Sequence, residues 1–196
     1  MRYNFGIGKS DIFYFALNNM PSGKTHDAIT FLLTIPVFFA ISTFANGIST
    51  AAFATGSFLF GGLMFGPDLD TQSNQFYRWS IFSFLWMPYR LIFRHRSRWS
   101  HGLIFGTFFR IIYFFGVLSL AALFIVFVVL ICTGGEMPGI LQFFDAWRAI
   151  GNFSRETFGA SIFIYVFAGL WLGAASHTLT DLSVSYIKTG KLGEFL

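Results

Sequence analysis

The stretch AITFLLTIPVFFAISTFANGISTAAFATGSFLFGGLMFGP, from Ala28 to Pro67, contains no charged residue. A helix crosses a bilayer with about 20 apolar residues, so this run is too long for one span and fits two. The polar pair Asn46-Gly47 divides it. The reading is one span over about 28–45 and a second over about 49–65, joined in a tight hairpin.

Composition extends that reading to the whole chain. Only 11% of the 196 residues are charged, with 13 Lys and Arg and 9 Asp and Glu. Ordinary soluble domains carry roughly a quarter. Apolar residues reach 55% and aromatics 21%, including 29 Phe. Too few charges are present to cover the surface of a soluble fold, and disordered segments are poor in apolar residues. The chain therefore reads as an all-α integral membrane bundle, one domain over 1–196, with lipid as its main partner.

Two further spans are expected, over about 103–133 and 157–180. The first is interrupted only by Arg110. At 1.5 Å per residue the uncharged stretch around it gives a helix of about 50 Å, against a hydrocarbon core of about 30 Å, so it must tilt, kink or project. Between the second and third spans, residues about 73–94 mix Arg78, Arg90 and Arg94 with Tyr77, Trp79, Trp86 and Tyr89. That mixture predicts an amphipathic interfacial helix in the headgroup region. After the third span, Glu136, Asp145, Arg148, Arg155 and Glu156 mark a loop with a short helix around 140–150.

Basic residues set the orientation. Arg2, Lys9, Lys24, the loop arginines, Lys188 and Lys191 fall on one side, and only Arg148 and Arg155 on the other. This places both termini and the long loop in the cytoplasm. The net charge of +4 thus reports topology, and no nucleic-acid partner is expected. Early charges such as Lys9 and Asp11 argue against a cleaved signal peptide. The single Cys132 excludes an intrachain disulfide and a multi-Cys zinc site. Pro21-Ser22-Gly23-Lys24-Thr25 lacks the first glycine of a phosphate-binding loop, since that position is Asn18.

The chemistry lies in the histidines and aspartates. His26-Asp27 precedes the first span, and Asp68-Leu69-Asp70 follows the second. His95-Arg96 and His101 precede the third, and His177 and Asp181 end the fourth, spaced i, i+4 on one face. In a four-span topology all of them meet at the cytoplasmic end. Each alone has an ordinary reading: interfacial histidines, turn aspartates with a capping role, a hydrogen-bonded helix-end pair. The set points to metal. Imidazole and carboxylate without sulfur suit Zn, with Mn or Fe as alternatives. A dinuclear centre would activate water and clamp a phosphoryl group. Asp70 or Asp68 would bridge or act as general base, and Arg96 would steady the phosphate bidentately. Arg110, costly at depth, should pair with an acid such as Asp181 or snorkel. Gly62-x-x-x-Gly66, Gly102-x-x-x-Gly106 and Gly169-x-x-x-Gly173 offer close helix approach at the same end, either within the chain or across a homo-oligomer.

Together, Pro21-Ser22-Gly23-Lys24-Thr25-His26-Asp27, Gly66-Pro67-Asp68-Leu69-Asp70, Arg78-Trp79, Pro88-Tyr89-Arg90, His95-Arg96-Ser97, Ser100-His101-Gly102 and His177-x-x-x-Asp181 resemble a known family. It is a family of metal-binding integral membrane proteins, chiefly cyanobacterial, with no established function. That family is similar in turn to bacterial membrane-bound metal-dependent hydrolases, which share P-D-x-D, H-R…H and H-x-x-x-D elements. The resemblance implies metal ligands at His26, Asp68, Asp70, His95, His101, His177 and Asp181. The H-x-x-x-D element also resembles one in zinc-dependent phospholipases C, which favours a phosphoester substrate. In the hydrolases the H-R…H spacing is one residue shorter than His95 to His101, which would leave one of the two outside direct coordination. The alternative function is an accessory or assembly subunit of a larger membrane complex with a structural metal.

Overall fold

The computed structural model describes residues 22–45, 47–93, 97 and 99–189, without the side chains of residues 188 and 189. Asn46, His95 and Arg96 lie outside the described residues. The helices are α1 (Gly23–Ser42), α2 (Ile48–Leu63), α3 (Asn74–Tyr77), α4 (Met87–Ile92), α5 (Phe105–Thr133), α6 (Ile140–Phe158) and α7 (Ile162–Thr189). Tighter 3-10 turns occupy Pro67–Asp70 and Ser80–Trp86, and there is no strand among the described residues.

Helices α1, α5 and α7 are long and apolar enough to cross a membrane. Helix α2 has 16 residues, about 24 Å, short of the roughly 30 Å hydrocarbon core. Three boundaries differ from the sequence reading. Helix α1 starts at Gly23, because Ser22 caps it by accepting from the Thr25 N–H at 3.4 Å. Helix α7 starts at Ile162 and continues past Asp181 to Thr189, since that aspartate faces the protein and does not end the helix. The expected loop after α5 holds α6, a 19-residue helix with no buried residue. Its charges lie on an exposed face of an amphipathic helix.

The interior is built on α2 against α7, with α1 laid over both. A Cβ at Gly169 would lie 2.2 Å from the Ala54 carbonyl oxygen, and one at Gly173 would lie 2.1 Å from that of Phe58. The two backbones touch there. Of the three glycine motifs, this one joins two helices backbone to backbone within the chain. Gly62 faces the Thr30 side chain on α1, and Gly66 faces the Gln75 side chain.

The expected interfacial helix over 73–94 is broken into α3, a 3-10 turn and α4. Ser80 has φ of 50°, which an α-helix does not allow. Pro88 lies in the first turn of α4, where its missing N–H costs nothing. The segment is also packed inward. Trp86 and Tyr89 are fully buried, and the Trp86 ring lies 5.5 Å from Phe65, 5.3 Å from Trp79 and 5.6 Å from Tyr89. Ile81, Phe82, Met87 and Leu91 stay exposed on the outer face. This aromatic cluster anchors the segment on the bundle.

Helix α5 is unbroken, and only Gly106, Thr107 and Arg110 in its first turns are buried. Ile111, Tyr113 and Phe114 pack on the aromatic cluster, and the helix beyond them is half-buried or exposed. Gly173→Val is expected to destabilise by about 3 kcal/mol or more, since no flexible neighbour can yield to the added carbons. Gly116→Ala, which meets nothing within 4 Å, should leave the midpoint unchanged or raised. Thermal unfolding in detergent checks both.

Candidate metal centre

Four chain segments deliver the polar side chains to one point. The first turn of α1 brings His26, the Pro67–Asp70 turn brings Asp68 and Asp70, the turn before α5 brings His101, and α7 brings His177 and Asp181. His26 Nε2 lies 3.2 Å from Asp181 Oδ1. His177 Nε2 lies 3.2 Å from Asp68 Oδ2 and 3.6 Å from Asp181 Oδ2. The His26 and His177 rings stack at 3.7 Å, 11° from parallel. His26, His177 and Asp181 can each turn one ligand atom to a common point, all within 4.8 Å of one another. Zinc ligands at about 2.0–2.2 Å in a tetrahedron stand about 3.3–3.6 Å apart. The histidine–Asp181 separations of 3.2 and 3.6 Å are of that size and the whole set stays within 4.8 Å, so the residues fit a metal.

Asp68 extends the cluster. Its other oxygen, Oδ1, lies 3.4 Å from His101 Nε2, and His101 Nδ1 lies 3.5 Å from Asp70 Oδ2. One carboxylate thus faces two histidines on two sides. The structure brings six of the seven expected ligands together; the seventh, His95, lies outside the described residues, as does Arg96.

Arg110 does not pair with Asp181. It is fully buried and donates to the Ser100 carbonyl at 2.7 Å and to Thr107 Oγ1 at 3.1 Å. Helix α5 begins at Phe105, so Arg110 sits only about 8 Å in. Its guanidinium turns back to hold the turn that carries His101, while Asp181 is engaged by His26 and His177 on the other side.

Two supports escaped the sequence reading. Gln75 is buried: its Nε2 donates to the Gly62 carbonyl at 2.8 Å, its Oε1 accepts the Asp68 N–H at 3.1 Å, and Nε2 rests 3.4 Å from His177 Nδ1. Arg78 forms a bidentate pair with Asp27 and donates to the Leu63 carbonyl at 2.7 Å. That pair ties the start of α1, and so His26, to the end of α2. Polar loop residues such as Gln75 give no periodic signal; only the fold shows their partners.

The carboxylates and imidazoles shift each other. Burial pushes the Asp68 carboxyl up, yet hydrogen bonds from His101 and His177 hold it well below the ordinary carboxylate range. Burial pulls His101 down, yet Asp68 and Asp70 carry it above the ordinary imidazole value. A raised histidine stabilises the fold below its unfolded value, and that contribution is lost as pH rises through its folded value. A lowered aspartate stabilises above its unfolded value and loses this as pH falls through its folded one. Without metal, the cluster is therefore held best between about pH 4 and about pH 6.5.

Two cavities adjoin the cluster and differ in size. The one bounded by His26, Asp27, Asp68, Gln75 and His177 has about 20 Å³, room for about one water. The one lined by Asp70, Met87, Arg90 and Leu91 has about 340 Å³. The smaller cavity touches the ligand set directly; the larger one adjoins the centre at Asp70, whose side chain is itself fully buried.

The fold and the site define an all-helical protein with a histidine–aspartate cluster suited to a metal. A family model described as "Uncharacterized metal-binding protein (DUF2227)" matches residues 21–191. The chain belongs to that family. No curated protein and no solved structure matches it.

Gln75→Ala should weaken zinc binding by about 10–100-fold and cost about 1–3 kcal/mol, because the Gly62 and Asp68 backbone groups lose their partner. Chelator competition and thermal unfolding read the two effects. A histidine ligand must shed its proton to bind metal. Zinc affinity is therefore expected to be at least about tenfold tighter at about pH 8 than at about pH 6, with proton uptake or release followed by calorimetry in buffers of different ionisation enthalpy.

Proposed function

We propose that this protein is a membrane-embedded, metal-dependent hydrolase of phosphoesters acting at the cytoplasmic membrane surface. The observation that carries the reading is Asp68, with one carboxylate oxygen toward His177 and the other toward His101. That geometry suits a bridge between two ion positions. His26, His177 and Asp181 serve the first position. Asp68 and His101 would hold the second, with Asp70 against the other ring nitrogen of His101. A divalent metal, zinc foremost, supplies Lewis acidity toward a phosphoryl oxygen.

The protein's own residues divide the remaining work. Asp68 has both oxygens engaged and holds the two halves together. Asp70, buried against His101 Nδ1 at 3.5 Å, is the proposed general base for an attacking water. Gln75 and Arg110 position Asp68, His177 and the turn bearing His101. Catalytic metal sites keep an open position and structural ones are closed; the side chains of Asp68 and Asp181 are 26% and 15% exposed, which supports hydrolysis. In this reading α2 completes a four-span bundle as the inner partner of α1 and α7, with the cluster at its cytoplasmic end.

The accessory-subunit reading has one observation in its favour. Beyond Phe115, many large apolar side chains of α5, such as Leu120, Phe124, Ile125 and Ile131, are exposed, a surface suited to a partner as well as to lipid. A stable complex carrying this chain, with a metal sphere closed to water, would favour it.

Metal analysis of the purified protein should find about two equivalents of zinc or manganese. His177→Ala is expected to lose the first position. Asp70→Asn should keep the fold and reduce phosphoesterase turnover on a chromogenic phosphodiester by about 10³-fold or more. Unchanged turnover in that variant would sink the hydrolytic mechanism, and metal-free wild type would sink the centre.

A further inference from the structure

The Asp70 side of the centre adjoins a cation that the metal does not use. Arg90 lines the 340 Å³ cavity together with Asp70, Met87 and Leu91. Its guanidinium carbon lies 4.8 Å from the centre of the Phe76 ring, and Phe76 itself is buried. The Arg90 Nε is buried and has no hydrogen-bond partner. Helix α4, which carries Arg90, is held in place by Trp86 and Tyr89, both fully buried in the aromatic cluster. A guanidinium held over an aromatic ring is preorganised to offer its fork to a planar anion.

The rim of the same cavity is apolar. Met87 is 55% exposed and Leu91 is 89% exposed, both on the outer face of α4. Phosphoryl recognition inside and an apolar lip outside match an amphiphile whose charged head enters and whose chain stays in the bilayer.

We propose that Arg90 binds the phosphoryl group of the substrate in this cavity, and that the phosphoester is carried on a lipid that enters over Met87 and Leu91. The proposal rests on the metal centre described above, because the seat it defines adjoins Asp70. Arg90 fixes the anion on its side of the cavity, and Asp70, its side chain buried, forms the wall toward the centre. Free phosphate shares the same recognition chemistry, so the source of the group is settled by comparing ligands.

The test uses the full-length, zinc-loaded protein in detergent micelles. Thermal unfolding is followed with inorganic phosphate, with dioleoyl phosphatidic acid, and with dioleoyl phosphatidylcholine as the zwitterionic control. A ligand that binds the folded state raises the midpoint in proportion to its affinity. Phosphatidic acid should raise the midpoint of wild type and of Arg148→Gln, a variant far along the chain on exposed α6. Arg90→Gln should need at least about tenfold more lipid for the same shift. Arg90→Lys keeps the charge over Phe76 but not the fork, and should fold and bind with intermediate strength. Equal shifts in wild type and in both Arg90 variants overturn the proposal. A loss that Arg148→Gln shares also overturns it, since it marks general attraction of anionic lipid. An Arg90-dependent shift as large with inorganic phosphate as with phosphatidic acid overturns the lipid route. Zinc content is measured on each sample. Wild type without zinc fails the metal reading, whereas zinc lost only in Arg90→Gln makes Arg90 a support of the centre and overturns its role in binding. The two readings therefore fail on different measurements.

Discussion

The contact of α2 and α7 backbone to backbone sets the geometry of everything polar in this protein. Gly169, Gly173, His177 and Asp181 form one i, i+4 row on α7, the row that packs as a ridge between helices. Its lower half has no side chains, so α2 comes within backbone contact at Ala54 and Phe58. Its upper half then reaches past the end of α2 to the Pro67–Asp70 turn. Asp68 meets His177 because the glycines below have already fixed the distance between the two helices. In lipid, where apolar side chains gain little by leaving their solvent, such close packing is a main source of helix association. The same row therefore supplies stability and ligand placement.

A second constraint fixes the other side of the centre. Trp86 and Tyr89 are driven into the bundle among Phe65, Trp79, Tyr113 and Phe114. That burial pulls the segment between Thr71 and Phe93 under the end of α5. Arg110 then reaches the Ser100 carbonyl, and His101 is turned toward Asp68 and Asp70. Aromatic packing outside the centre thus decides which imidazole faces which carboxylate.

What the sequence makes legible follows from these constraints. Long charge-free runs show α1, α5 and α7, because lipid tolerates few charges. His26, Asp68, Asp70, His101, His177 and Asp181 stand out because histidine and aspartate are rare here and lie at the ends of those runs. The break of 73–94 into short pieces is not legible, since it depends on a positive φ at Ser80 that no residue type there announces. The first half of α6 is legible as the short helix around 140–150, but its continuation to Phe158 is not, because Arg155 and Glu156 resemble a loop until their helical face is seen. Gln75 and the turn of Arg110 toward Ser100 depend on tertiary partners from 7 to 102 residues away. Spacing reports which residues share a face; it does not report what that face meets.

Charge balance gives the reason these residues belong together. Three carboxylates, Asp68, Asp70 and Asp181, face three imidazoles in a region where Asp70, His26, His101 and His177 are all buried. Burying like charges without compensation is costly. Arg110, fully buried nearby, acts electrostatically on Asp70 and Asp68. Against the effect of burial, Asp68 and Asp70 raise the affinity of His101 for a proton, and a proton held there is one way to meet the demand for positive charge. A divalent ion would meet it with two charges at the same place, and would displace that proton as it bound. The carboxylates thus create a demand for positive charge that protons satisfy at low pH and metal satisfies at higher pH. Asp68, placed between His101 and His177, couples the two halves of the cluster through that one demand.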